Sequence, residues 1–211
     1  MSELNIISAV LGPVGTNCYT VANVKTKDAV IIDPADHGEH LVAMIEDQVL
    51  IPRAILLTHG HFDHCMGAAK LKEAYPEIPI IIGEKDKAYL ENPVLNLAEP
   101  LLSSGFTLKA DQTVSDGEVL KLLGTEIHCI EVPGHTPGSI CYYFPEEKLL
   151  FDGDTLFAGS IGRSDFPGGD GEALIRNIEK KLFTLPEETL VFPGHDNATT
   201  IQKEVHDNMY F

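Results

Sequence analysis

The stretch Thr58-His59-Gly60-His61-Phe62-Asp63-His64 constrains this chain more than any other. Three imidazoles and one carboxylate fall within six positions, directly after the apolar run Ala54-Ile55-Leu56-Leu57. A run without polar alternation predicts a strand covered on both faces, as in a parallel sheet packed under helices. His59 and His61 lie two apart, so in an extended strand end they point to the same side. Asp63 and His64 then lead into a helix expected to start near Cys65. Mixed imidazole and carboxylate donors of this kind suit zinc or iron. With 9 histidines in 211 residues, such a set at fixed offsets should arise by chance about once in a thousand chains.

Further donors sit in three other turns. Val132-Pro133-Gly134-His135-Thr136-Pro137-Gly138-Ser139 places a histidine in a turn stiffened by two prolines. Leu150-Phe151-Asp152-Gly153-Asp154-Thr155 ends an apolar strand with two aspartates, and Phe192-Pro193-Gly194-His195 presents a histidine after another. Each turn alone is unremarkable, but all lie at strand ends, where one rim of an α/β sheet gathers them. Together with the histidine-rich stretch they supply enough donors for two metal ions sharing a bridge. His37 and His40 at a helix start, His128 in a strand and His206 in a closing helix carry no metal role. Cys65 is read as a core residue.

The pattern along the chain alternates strands and helices. NIISAVL, NCYTVAN and AVIIDP read as strands, GEHLVAMIEDQ as a helix with Leu41, Met44 and Ile45 on one face, and AILLT as a buried strand. CMGAAKLKEAY and KDKAYLE read as helices around the strand PIIIGE. EVLKLLG, EIHCIEV, SICYYFP and KLLFDGD follow as strands. GEALIRNIEKKLFTL is a helix stopped by Pro186, TLVFPGH a strand, and TTIQKEVHDN a closing helix. Sheet plus helices in each half predicts an α/β sandwich in one domain spanning residues 1–211. NCYTVANVKTKDAVIIDP and SICYYFPEEKLLFDGD echo each other, each with a Cys-Tyr, a hairpin, an apolar strand and an acidic turn.

Charge narrows the partners. The chain carries 15 Lys+Arg against 32 Asp+Glu, a net charge of −17, which repels phosphate backbones and anionic membranes. A small-molecule substrate is therefore expected, with no nucleic acid and no membrane as partner. The N-terminal stretch has Glu3 where a secretion signal carries positive charge, so a cytoplasmic location is expected. Cys18, Cys65, Cys129 and Cys141 form no CxxC pair and are expected to stay reduced.

THGHFDH, PGHTPGS, FDGDTLF and FPGH, in this order and spread over nearly the whole chain, resemble the metallo-β-lactamase superfamily. GDTLFAGSIGRSDFPGGD and the ending His-x-x-x-Thr-Thr-Ile resemble its glyoxalase II-like branch, the hydroxyacylglutathione hydrolase-like proteins. The resemblance implies a four-layer αβ/βα sandwich. It also implies that His59, His61 and His135 hold one divalent ion, that Asp63, His64 and His195 hold a second, and that Asp154 bridges both. The ions implied are zinc, with iron or manganese as alternatives. Asp152 is not a ligand in this pattern. Glyoxalase II proper adds a C-terminal helical region with basic residues for glutathione, whereas this sequence ends at Phe211, about where the sandwich ends.

The activity so implied is hydrolysis of a thioester or related small ester by an activated water. Asp63 would orient that water or take its proton, and Arg163 would hold a substrate carboxylate. A lactonase would use the same ions. A persulfide dioxygenase would use one iron, held by His59, His135 and Asp154. Export-dependent β-lactamase activity and nuclease activity fit the sequence less well.

Overall fold

The computed structural model describes residues 3–211. Fourteen strands and seven short α-helices follow one another as β1 (Leu4–Leu11), β2 (Thr16–Asn23), β3 (Asp28–Ile32), α1 (Gly38–Asp47), β4 (Ile51–Leu56), α2 (Phe62–Cys65), α3 (Ala68–Ala74), β5 (Ile80–Gly83), α4 (Lys87–Leu90), α5 (Ala98–Leu102) and β6 (Gln112–Val114). The chain continues through β7 (Val119–Leu122), β8 (Thr125–Glu131), β9 (Ile140–Phe144), β10 (Leu149–Gly153), β11 (Leu156–Phe157), β12 (Ser160–Ile161), α6 (Gly171–Asn177), β13 (Leu190–Pro193), β14 (Thr199–Thr200) and α7 (Ile201–Asp207). One sheet runs β1-β2-β3-β4-β5-β6, the other β14-β13-β10-β9-β8-β7. Strands β3 to β6 are mutually parallel, as are β10 and β13.

Side-chain alternation builds four layers from these two sheets. On β3, Val30 and Ile32 point into the space between the sheets, and Ile31 points outward. On β4, Ala54 and Leu56 point inward and Ile55 outward. The inward residues meet Ile127, Ile140, Tyr142, Phe144 and Phe151 of the second sheet. The outward residues of the first sheet bury Leu41 and Ile45 of α1 and Leu71 of α3. Those of the second sheet, including Tyr143, Leu150 and Val191, bury Leu174 of α6, Ile178, Leu182 and Ile201 of α7. The period of two thus makes every central strand apolar on both faces, which is why AVIID and AILLT lack polar alternation. The result is the expected αβ/βα sandwich.

The echo between the halves has a structural counterpart. β2–β3 and β9–β10 are equivalent antiparallel hairpins, and each leads through a helix to a parallel neighbour, β4 or β13. In both hairpins the Cys-Tyr pair is set the same way. Cys18 and Cys141 face the outer helices, while Tyr19 and Tyr142 face the centre. All four cysteines are buried and unpaired.

Some elements differ from the sequence reading. The helix expected from Cys65 is broken: α2 already starts at Phe62, and α3 begins only at Ala68. Gly67 separates them because its backbone lies against the Pro34 turn, donating to Pro34 O at 2.8 Å, with room for no side chain. Residues 84–86 form a 3-10 turn ahead of α4, and the last turn of the long helix after Asp170 is a π-turn over 178–182. Thr199 and Thr200 pair with β13, so the closing helix starts at Ile201, capped by the Thr200 hydroxyl. Helix α5, strand β6 and the small β11–β12 hairpin are additional. Among the described residues, no helix is long and apolar enough to cross a membrane.

Candidate metal centre

The C-terminal ends of β4, β10 and β13, and the β8–β9 connection, meet at one rim of the sandwich. Beyond β4 the chain delivers His59 and His61. His61 is the extended residue at the N-cap of α2, so Asp63 and His64 lie inside a helix of four residues. Beyond β10 comes Asp154, beyond β13 His195, and the connection after β8 supplies His135. Every donor named from the sequence is therefore brought together.

The donor atoms form two groups. In the first, His135 Nε2 lies 3.2 Å from His59 Nε2 and 2.9 Å from His61 Nδ1. In the second, Asp63 Oδ2 lies 3.7 Å from His64 Nε2 and 3.5 Å from His195 Nε2. Asp154 reaches both: Oδ1 is 3.4 Å from His64 Nε2, and Oδ2 is 3.6 Å from both His135 Nε2 and His195 Nε2. Donors bound tetrahedrally to zinc at about 2.0–2.2 Å stand about 3.3–3.6 Å apart. In the second group the Asp63–His195 pair, at 3.5 Å, lies in that range and the Asp63–His64 pair, at 3.7 Å, just above it, while the first group is tighter.

Hydrogen bonds on the far side of the rings aim these donors. His64 Nδ1 donates to Asp33 Oδ2 at 2.9 Å. The Thr58 hydroxyl donates to the same oxygen at 2.6 Å, and His59 Nδ1 donates in turn to that hydroxyl at 3.1 Å. The Thr58 amide donates to Asp33 Oδ1 at 2.8 Å. One carboxylate thus places the protons of two imidazoles on Nδ1 and leaves both Nε2 atoms as bare lone pairs, the arrangement that orients metal-binding histidines elsewhere. His135 Nδ1 donates to Arg163 O at 2.6 Å, with the same effect.

With the protons so placed, the centre fits a cation. His64 Nε2 and Asp154 Oδ1 are buried, turned toward each other, and without a hydrogen-bond partner. A neutral imidazole lone pair and a carboxylate cannot satisfy one another; a cation between them can, and without one a second proton on His64 Nε2 takes that place. Burial and the surrounding imidazoles hold His59 far below its normal range, and His61 falls to about 3. His135 is lowered by burial too. These three remain neutral donors at pH 7. For Asp154 and Asp63, burial opposes ionisation, but the neighbouring imidazoles outweigh it and keep both carboxylates charged. Burial likewise opposes charge on His64, and Asp154, Asp63 and Asp33 overcome it, raising its pKa well above the usual range. This end of the centre attracts positive charge. Gly194 closes it: a Cβ there would stand 2.4 Å from Asp154 Oδ1 and 2.6 Å from His64 Cε1.

Beside the donors opens a cavity of about 400 Å³. His61, Asp63, His135, Asp154 and His195 form its floor, and Val14, Phe62, Leu97, Leu101, Phe157, Ile161 and Phe166 much of its wall. Ser160 and Arg163 complete it. The Arg163 guanidinium forks onto Asp165 through two 2.7 Å bonds and caps the Phe166 ring at 4.0 Å.

Two functional carboxylates escaped the sequence reading. Asp33 was visible only as the acid ending AVIIDP. Asp86 sits in a buried turn after β5 and accepts from Gly60 N, Gly138 N and the Thr136 hydroxyl at 2.7–2.9 Å. It ties the loop carrying His59 and His61 to the loop carrying His135. Asp152, the other acid of the Phe-Asp-Gly-Asp turn, accepts from Leu156 N at 2.8 Å and braces the turn that carries Asp154.

Comparison with known proteins agrees with this geometry. The sequence profile of the metallo-beta-lactamase superfamily matches residues 11–195. The hydroxyacylglutathione hydrolase GloC of Haemophilus influenzae is 39% identical over 185 residues, 87% of either chain. Two crystal structures superpose closely. BLEG-1, a B3 metallo-beta-lactamase, has a TM-score of 0.93 at 38% identity and covers 98% of this chain and 99% of its own. TTHA1623 in a di-iron-bound form has a TM-score of 0.85 at 36% identity, covering 97% and 100%.

Proposed function

The chain belongs to the metallo-beta-lactamase superfamily, and on that premise we propose that it is a binuclear metal-dependent hydrolase that cleaves a thioester of a small molecule. The observation that carries this reading is the position of Asp154, whose two oxygens face both donor groups at 3.4–3.6 Å. Identity of 39% to a hydroxyacylglutathione hydrolase supports the thioester. His59, His61 and His135 would hold one ion and Asp63, His64 and His195 the other. Zinc is the ion proposed, with iron the alternative that the di-iron relative supports. Four buried, unpaired thiols suit a reducing cytoplasm.

When bound, such ions polarise a carbonyl and acidify water, contributing several kcal/mol to the stabilisation of developing negative charge. The chain supplies the rest. The Asp63 carboxylate, steadied by the Thr16 hydroxyl at 3.1 Å, lines the cavity and can accept the proton of an attacking water. Phe62, Phe157 and Phe166 give the approach to the reacting carbonyl an apolar lining. A thiolate leaves readily, so the site requires no dedicated acid beside the leaving group.

Elemental analysis of protein purified without added metal, followed by assays on S-D-lactoylglutathione, a neutral thioester, a β-lactam and glutathione persulfide, tests the proposal. The expected result is two ions per chain and thioester hydrolysis without oxygen uptake. One iron per chain with oxygen consumed on the persulfide would replace this reading by a dioxygenase.

A further inference from the structure

The cavity beside the donors is mismatched to a charged substrate. Among the described residues, Arg163 is the one lysine or arginine that lines it, and that guanidinium is already forked onto Asp165. Its side chain is 60% exposed, so it points as much to solvent as to the cavity. The rest of its polar floor, Asp63, Asp154 and three imidazoles, consists of donors that the ions would engage. With Arg163 engaged by Asp165 and a net charge of −17, a substrate with several carboxylates finds no side-chain partner for them along the wall and is repelled on approach.

The apolar wall, by contrast, is built. Leu101 projects from α5, and the turn before that helix is pinned by Asn96, which is fully buried. Asn96 donates to Phe106 O at 2.9 Å, accepts from Ala98 N at 2.9 Å, and its carbonyl receives Phe62 N at 2.8 Å. Phe62, Leu97 and Ala98 form a separate apolar cluster with Phe166 against them. The wall is therefore preformed, tied to the same helix α2 that carries Asp63 and His64. At its mouth Leu101 is 58% and Val14 50% exposed. Apolar side chains left half in water around a cavity mark a binding surface that an apolar ligand would cover.

Building on the hydrolase reading above, we infer that the substrate is a thioester whose acyl group is an uncharged apolar chain or ring, seated between α5 and Phe166. Soluble thiol carriers are polar or charged, so the apolar half of such a molecule is the acyl half. The carrier then leaves the mouth past the Arg163–Asp165 pair.

The test uses the metal-loaded protein and one neutral thiol, N-acetylcysteamine. Binding of its non-hydrolysable S-ethyl and S-hexyl thioethers is measured by calorimetry, and hydrolysis of its acetyl and hexanoyl thioesters by thiol release. Each fully buried methylene is worth about fourfold in affinity, and a preference of at least about tenfold for hexyl over ethyl is expected from partial burial of four. Leu101→Gln should remove most of that preference. A more negative heat capacity change for the hexyl compound is the accompanying mark of apolar burial. Equal binding of the two thioethers, or tighter binding of S-hexylglutathione than of the neutral hexyl compound, would overturn the inference. The two proposals separate cleanly. A hexyl preference without hydrolysis of any thioester sinks the thioesterase reading and keeps the apolar site. Hydrolysis without chain-length preference does the reverse.

Discussion

Replacing Asp33 by Asn probes how the centre is aimed, because Asp33 touches no position a metal would occupy. Its Oδ2 receives both His64 Nδ1 and the Thr58 hydroxyl, at 2.9 and 2.6 Å, and Oδ1 receives the Thr58 amide at 2.8 Å. An asparagine offers one oxygen for these three donors. If its NH2 takes the Oδ2 place, it faces two donors. His64 must then accept on Nδ1 and carry its proton on Nε2, toward Asp154. The Thr58 hydroxyl turns to His59 Nδ1 and forces the same tautomer there. If the NH2 takes the Oδ1 place, the buried Thr58 amide loses its acceptor, which costs about 1–3 kcal/mol. The first placement costs metal affinity, and the second costs fold stability while leaving the tautomers as they are. Partners behind metal-binding histidines are worth about 10–100-fold in metal affinity, or about 1.4–2.7 kcal/mol. The assay is competition against a chromophoric chelator, with circular dichroism and urea unfolding of the metal-free proteins run beside it. The expected result is a weaker ion at the His64 group, with at least a smaller loss at the His59 group through Thr58. Affinities unchanged within twofold, together with unchanged stability of the metal-free variant, would refute the claim that Asp33 sets these tautomers.

Asp86 gives a prediction in pH. Burial pushes its carboxyl up to about 6 despite three hydrogen bonds. A folded pKa above the unfolded one means that ionisation favours the unfolded chain, so stability from this group is highest at low pH. It falls between about pH 4 and 6 by up to about 3 kcal/mol. Urea unfolding of metal-free wild type and Asp86→Asn should show the variant less stable throughout, with the gap narrowing as pH rises from 4 to 6; parallel profiles would contradict it. Arg163→Ala should change KM for S-D-lactoylglutathione and for a neutral thioester equally and by less than about threefold, because an exposed ion pair is worth about 0–1 kcal/mol; a selective loss on a carboxylate-bearing substrate would restore Arg163 as an anion grip. Burial raises the thiols of Cys18, Cys65, Cys129 and Cys141, Cys129 to about 12, so Ellman's reagent should label none of the four within minutes in native protein and all four in urea. Rapid native labelling of any one would show that its burial is incomplete.

The sequence made the donors legible because each sits at a strand end marked by an apolar run and a glycine or proline. Thr58 to His64 carries its chemistry in consecutive letters, and His135, Asp154 and His195 share that position on the rim. The layers were legible too, since the period of two on β3 and β4 is written in residues that are apolar on both faces. Asp33 and Asp86 were not, because their roles depend on partners 25 to 52 positions away, and an acid at a strand end looks the same with or without such partners. The break at Gly67 was hidden for a related reason: Ala68 to Ala74 continues a helical pattern, and only the Pro34 turn lying across it forces the interruption. Helix α5, which walls the cavity, is five residues long, too short for its periodicity to register.

The twin hairpins have a consequence for how such a protein is made. Neither donor group belongs to one sheet. His59 and His61 follow the first and need His135 from the second, while Asp63 and His64 need His195. During synthesis the first four of these side chains are present well before the last, so the nascent chain carries an incomplete set of donors. Only after the second hairpin docks onto the first does the seam between them acquire its full set. Capture of metal would then follow that docking and act as a rivet: an ion that binds the docked form alone adds RT ln(1 + [L]/Kd) to the cohesion of the two halves. Starvation for metal during growth should therefore lower the amount of intact protein as well as its turnover.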